Sequence, residues 1–261
     1  MTLAIIIDKF NYLTALFNTL MSHLPIILFD FDGVIITHKS LEYTASIFLK
    51  NEFYKWKNIE NMRLIDFARL FEEADSENKI LALKRIIKIY KEYIPSRWRR
   101  VLFIIRFRRI YPKFEKYETL KPNLEEILRK LKKSKIPLAI VSNTSGKRLN
   151  RFRQKLNLDK YISIFISRDD TPFRKPSAYP IYIALRKIKE NHKFSINKEL
   201  VYYVGDLPQD VLCAKNAKIN SIALLSGHGT KESLEKVKPT FLFQNIKDIV
   251  EIGKIKKFLL N

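Results

Sequence analysis

Asp30 and Asp32 follow the apolar run Ile26-Ile27-Leu28-Phe29 and are followed at once by Gly33. A short apolar run that stops in alternate carboxylates and a glycine reads as a buried strand delivering acids to a turn at its carboxyl end, the edge at which open α/β sheets bind ligands. Carboxylates so close together repel and raise each other's pKa unless a cation or hydrogen-bond donors compensate. A metal site is the simplest compensation.

Further polar clusters end other strand-like runs. Ser142-Asn143-Thr144 follows Leu138 to Val141, Lys175-Pro176 lies in the loop after Ile162 to Ile166, and Gly205-Asp206, with Asp210 beyond, follows Val201 to Val204. In a parallel sheet these segments converge on one edge with Asp30 and Asp32. Acids, a hydroxyl and an ammonium suit phosphoryl transfer. A carboxylate can attack phosphorus and form an aspartyl-phosphate when Mg²⁺ and fixed cations neutralise the repulsion between the two anions. Mg²⁺ takes oxygen ligands and commonly keeps several waters, so Asp30 and Asp206 can supply the protein's share. Lys175 can offset charge on nucleophile and phosphate, while Ser142 donates a hydrogen bond to a phosphoryl oxygen.

In this order, Asp30-Phe31-Asp32-Gly33, Ser142-Asn143, Lys175-Pro176 and Gly205-Asp206 with Asp210 resemble the four motifs of the haloacid dehalogenase (HAD) superfamily, most of all its phosphoglycolate-phosphatase-like members. The resemblance covers nearly all of residues 26–229 and continues through Ala214, Ala217, Ser221-Ile222 and Gly227-His228-Gly229. It implies that Asp30 is the nucleophile, and that Asp32 protonates the leaving alkoxide and then acts as base toward water. It implies Mg²⁺ held by the carboxylates of Asp30 and Asp206 and the backbone carbonyl of Asp32, with Asp210 as a ligand or an anchor behind them. Ser142, Asn143, Gly33 and Lys175 would surround the phosphate. An aspartate at position 32 favours phosphate-ester hydrolysis, or phosphate transfer within a sugar phosphate, over dehalogenation. One departure is Lys218, which stands where a glycine usually follows the helix of the fourth motif.

The elements that must position these residues follow from the rest of the chain. From Lys121 onward, strand-like runs alternate with helix-like stretches (Leu124 to Lys133, Lys147 to Leu156, Ser177 to Glu190, Val211 to Ala217), the pattern of βαβ units. The fold class expected is α/β: a Rossmann-like parallel sheet with helices on both faces, residues 24–36 and 117–261, forming a discontinuous core. Residues 37–116 carry helical periodicity, lack glycine and read as an inserted helical cap, as HAD proteins carry. Within residues 1–23, apolar positions from Ile6 to Met21 recur at three- and four-residue steps, predicting an amphipathic N-terminal helix that neither spans a membrane nor reads as a signal peptide.

The single cysteine, Cys213, excludes an internal disulfide framework and fits a cytoplasmic location, where it reads as a small buried apolar residue. A formal net charge of +22 favours anionic partners. The expected substrate is a small phosphorylated metabolite such as phosphoglycolate or a sugar or nucleotide phosphate. The alternatives are a phosphomutase of the same superfamily, or a basic nucleic-acid- or membrane-binding protein that uses the arginine- and aromatic-rich stretch Ser96 to Tyr111. A solvated basic helix face is the plainer reading of that stretch. Plainer readings also exist for Ser142 as the N-cap of the following helix, for His38 and Asp169-Asp170 as solvated loop residues, and for His228 as a turn residue.

Overall fold

The computed structural model describes residues 24–59, 79–192 and 195–259. The expected helix over residues 1–23 and the Leu64 to Phe71 part of the helical block lie outside the described residues. In chain order, β1 (Ile26–Phe29) is followed by α1 (Lys39–Leu49), α2 (Lys79–Ile89), α3 (Arg97–Phe114) and α4 (Leu124–Lys133). Then come β2 (Leu138–Val141), α5 (Gly146–Lys155), β3 (Ile164–Ile166), α6 (Tyr179–His192) and β4 (Val201–Gly205). The chain continues through α7 (Pro208–Ala217), β5 (Asn220–Leu224), α8 (Lys231–Lys236), β6 (Phe241–Phe243) and α9 (Gly253–Leu259). It divides into two compact units, one up to Ile35 and from Lys121 onward, the other Ile36–Leu120.

The first unit is built on a six-stranded sheet in the order β3-β2-β1-β4-β5-β6, parallel at every pairing. Every residue of β1 is buried, as a strand covered on both faces must be. Ile26 and Leu28 pack with Ala139, Val141 and the apolar faces of α6 and α7, while Ile27 and Phe29 are equally buried from the opposite side. Successive connections step away from β1 to β3, then the chain returns to the other side of β1 as β4. The strand order therefore reverses between β1 and β4, and the crevice beyond their carboxyl ends is where such sheets bind ligands. The register aligns Phe29 with Val204 and with Ile140, so Asp30 leaves β1 level with Gly205 and Val141, the last residues of β4 and β2.

Local chemistry sets the helices that frame this edge. α4 has Glu125 and Glu126 in its first turn and Lys130, Lys132 and Lys133 in its last, matching the helix dipole at both ends. α5 starts at Gly146 because the Ser145 side chain caps the amide of Arg148. Ser142 is therefore not the N-cap: its amide still donates to Ile166 in the sheet ladder. β6 lies outside the expected elements.

The second unit packs α1, α2 and α3 around an aromatic core of Phe48, Tyr54, Tyr90, Phe103 and Phe107. Rings of Phe103 and Tyr90 lie 4.9 Å apart, and those of Phe103 and Phe48 meet edge-on at 5.1 Å. Arg100 is buried because its guanidinium donates to the carbonyls of Ile94 and Pro95 at 2.6 and 2.8 Å. His38, expected in solvent, is buried, and its carbonyl accepts the amides that open α1.

Candidate active site

Asp30 leaves β1 with its amide still donating to Val204 at 2.8 Å, and its side chain is 4% exposed. The Nζ of Lys175 lies 2.7 Å from one of its oxygens and 2.6 Å from an oxygen of Asp210. Lys175 is itself buried, so one ammonium joins carboxylates that start β1's loop and α7. Burial pulls the Lys175 ammonium toward its neutral form, but Asp210 and Asp30 outweigh it and hold its pKa well above the usual value. Burial drives the Asp30 carboxyl well above the ordinary range, opposed by Lys175 and reinforced by Asp210 and Asp206.

Asp206 ends β4 with no measurable exposure, and its carboxylate accepts the amide of His228 at 2.6 Å. A β-carbon at Gly227 would collide with that side chain, so only glycine lets the Ser226 to Gly229 loop reach the carboxylate. Asp210 uses its second oxygen to accept the amides of Asp206 and Leu207 at 3.2 and 3.0 Å, capping α7. Beneath them the Tyr203 hydroxyl donates to the Val141 carbonyl at 2.7 Å. Ligand atoms of Asp30, Asp206 and Asp210 all lie within 4.8 Å of one another, and all these residues are buried. Three carboxylates facing one ammonium are short of positive charge, and an oxygen-only donor set suits a hard divalent cation.

Ser142 and Asn143 follow β2. The Ser142 hydroxyl oxygen accepts the Thr144 amide at 3.2 Å. Asn143 clasps the Lys175 backbone, accepting its amide at 3.0 Å and donating to its carbonyl at 3.4 Å. The Asn143 side chain thus holds the segment that carries Lys175, work that the expectation of a phosphate contact did not anticipate.

Asp32 stands apart from the acid cluster. Gly33 takes φ 79°, a left-handed conformation that turns the chain straight after it. Both Asp32 oxygens accept from Nη1 of Arg148, at 2.6 and 2.8 Å, and the same nitrogen lies 3.2 Å from the Thr144 hydroxyl oxygen. The guanidinium also lies over the rings of Phe31 and Phe152, at 5.8 and 5.0 Å from their centroids. The two acids expected to need a shared cation are therefore compensated separately, Asp30 by Lys175 and Asp32 by Arg148. Sequence reasoning missed Arg148, which is one of 49 lysines and arginines and carries no signal beyond following Ser142-Asn143 on the first turn of a helix.

Asp169 and Asp170 are exposed, as their plainer reading expects, and each also holds a turn: Asp169 accepts the Gly146 amide at 2.8 Å, and Asp170 accepts the Ser167 amide at the same distance.

The family model for haloacid dehalogenase-like hydrolases matches residues 27–224, most of the chain. The chain belongs to this family. Among its relatives, "Putative pyrophosphatase PpaX" of Caldanaerobacter subterraneus subsp. tengcongensis is 25% identical over 87% of this chain and 94% of its own. A phosphoglycolate phosphatase of Photorhabdus laumondii is 27% identical over 49% of this chain and 53% of its own, so the chain spans about half of that relative. A solved structure of a predicted phosphoglycolate phosphatase from Haemophilus somnus superposes with a TM-score of 0.65 at 20% identity, over 89% of this chain and 99% of the other. That likeness speaks for the fold. In this HAD-like hydrolase the match runs across both parts of the sheet and the residues between them.

Proposed function

We propose that the chain is a Mg²⁺-dependent phosphatase that hydrolyses a small phosphate monoester through an aspartyl-phosphate on Asp30, with Ile36–Leu120 as its cap. The observation that carries this reading is the buried cluster of Asp30, Asp206 and Asp210, with the Lys175 ammonium bonded to Asp30 and Asp210, at the switch point of a HAD-family sheet. Such a cluster is costly to bury for stability alone, since charges removed from water regain their solvation only through close partners. A reacting phosphate and its cation supply a reason for it.

In this mechanism Asp30 attacks phosphorus in line with the leaving oxygen, and Asp32 delivers the proton that the alkoxide needs. Asp32 then takes a proton from the water that cleaves the acyl-phosphate, which frees Asp30 and inorganic phosphate. Asp30 and Asp206, with the Asp32 carbonyl, would hold Mg²⁺, which when bound neutralises phosphate charge and favours the ionised nucleophile. Asp210 accepts the Asp206 and Leu207 amides and anchors Lys175, so it acts behind those ligands. Lys175 offsets charge on the attacking oxygen and the phosphoryl group, the Ser142 hydroxyl donates to a phosphoryl oxygen, and Gly33 lets the phosphate approach the backbone. Asn143 fixes the Lys175 segment, and Arg148 fixes the direction of the Asp32 carboxylate.

The relatives named for pyrophosphate and phosphoglycolate point to small, highly anionic substrates, and the chain's net charge of +22 would draw them in. The buried thiol of Cys213 fits work in the cytoplasm. The test is a phosphate-release screen over metabolite phosphates, pyrophosphate included, with Mg²⁺ and with chelator. We expect release from at least one monoester that chelation stops and Mg²⁺ restores. Loss of substrate with no free phosphate would instead indicate a mutase.

A further inference from the structure

Helix α3 has apolar residues on two faces, and the core of its unit uses one of them. Phe103, Ile104 and Phe107 are buried in the aromatic cluster. On the opposite face Trp98 and Ile105, seven residues apart and therefore nearly in line, are 58% and 59% exposed, with half-buried Val101 and Leu102 between them. At about 100° per residue, exposed Arg97 and Arg108 fall on one flank of this crest, and exposed Arg106 and Lys113 on the other. No Asp or Glu occurs from Arg97 to Phe114. The crest extends onto Phe53, whose ring meets Trp98 edge-on at 5.4 Å and lies under the guanidiniums of Arg99 and Arg106, each 5.5 Å from its centroid.

We propose that this face of α3 docks the protein on an anionic lipid surface. An apolar crest bordered on both sides by arginines is the arrangement of a helix lying in a membrane interface. Its apolar side chains enter the boundary of the acyl region, while the long cationic ones reach the phosphate headgroups. An indole suits that depth because its ring is apolar and its N–H is polar. Charge selects the occupant. A second copy of this chain, also at +22, would be repelled, whereas an acidic leaflet attracts. Single-stranded nucleic acid would meet the same arginines and stack on Trp98 and Phe53, but it would leave Ile105, Val101 and Leu102 without an apolar partner, whereas a lipid interface takes up the whole crest. No described helix is long and apolar enough to cross a membrane, so the reading is attachment to the surface.

The experiment mixes the full chain with vesicles of equal parts phosphatidylcholine and phosphatidylserine, with phosphatidylcholine vesicles, and with a single-stranded oligonucleotide. Pelleting and tryptophan emission are read together. Trp56, the other tryptophan, is half-buried and donates its indole N–H to the Phe48 carbonyl at 2.8 Å, so a change in emission reports mainly on Trp98. We expect pelleting with the serine-lipid vesicles alone among the vesicles, with a blue shift that Trp98→Phe removes. Ile105→Ser should weaken vesicle binding about tenfold, the value of burying one isoleucine side chain, with unchanged melting temperature and phosphate release. Three results would overturn the proposal: no pelleting, pelleting without a blue shift and insensitive to Ile105→Ser, or oligonucleotide binding that quenches Trp98 and displaces the vesicles.

Discussion

Arg148 directs Asp32 by offering one nitrogen to both carboxylate oxygens, and the Ser145 cap and the Thr144 hydroxyl oxygen hold it in place. Removing the guanidinium leaves the fold its core but frees the Asp32 side chain to rotate away from a leaving group. Arg148→Ala should lower kcat by about tenfold to a hundredfold, a part of what a well-placed general acid supplies. The KM and melting temperature should stay near wild type, and Arg148→Lys should recover part of the rate. Steady-state kinetics on the substrate found by the release screen checks this. Cys213 gives a second residue-level test. Burial pushes its thiol up to about 12, and its sulfur lies 2.9 Å from the Ser177 carbonyl, to which it donates. Because the thiolate is the reactive form, a folded-state pKa raised this far leaves the thiol protonated across the neutral range, with thiolate gained only as pH approaches that value. A thiol reagent at pH 8 should therefore leave the folded protein unlabelled and react promptly once denaturant exposes the residue.

At the scale of elements, β1 was legible because four apolar residues end abruptly in acids, and a strand buried on both faces has no other way to deliver charge than at its end. β4 likewise runs into an acid, Asp206, β2 into the polar Ser142-Asn143, and β5 was marked by its apolar run alone; all of them join β1 in one parallel sheet, as the alternation implies. β6 was not legible: Phe241–Phe243 is short and half-buried at the sheet edge, so neither alternation nor a long apolar run marks it. Capping of α5, weighed for Ser142 only as the plainer alternative to a phosphate contact, falls to Ser145, because the β2 ladder continues through the Ser142 amide. Pairing of Asp32 with Arg148 was invisible for another reason, since the partners are far apart in sequence and arginine is everywhere in this chain. The departure at Lys218 does have a structural meaning. This residue ends α7 at φ 58°, and its amide donates to Ala214 and Lys215. A left-handed conformation strains a residue that has a β-carbon, while glycine adopts it freely and gives back part of the gain through unfolded-state entropy. Lys218→Gly should therefore stabilise the protein by roughly 0.5–1 kcal/mol, seen as a higher melting temperature with activity unchanged.

On the scale of the whole molecule, a chain of the HAD-like hydrolase family with a net charge of +22 places a cluster of buried acids at one sheet edge, where Lys175 bonds to two of them. Excess positive charge draws anions from a distance with an attraction that salt screens, while the buried acids act only at contact. The account stands on one chemical statement, that an oxygen of Asp30 forms the bond to phosphorus. Asp30→Asn keeps the shape of the side chain and removes the nucleophile, and its phosphate release can be measured beside wild type in the presence of Mg²⁺. The account predicts that the variant melts as a folded protein and releases no phosphate above background. A variant that turned over at a rate close to wild type would contradict it.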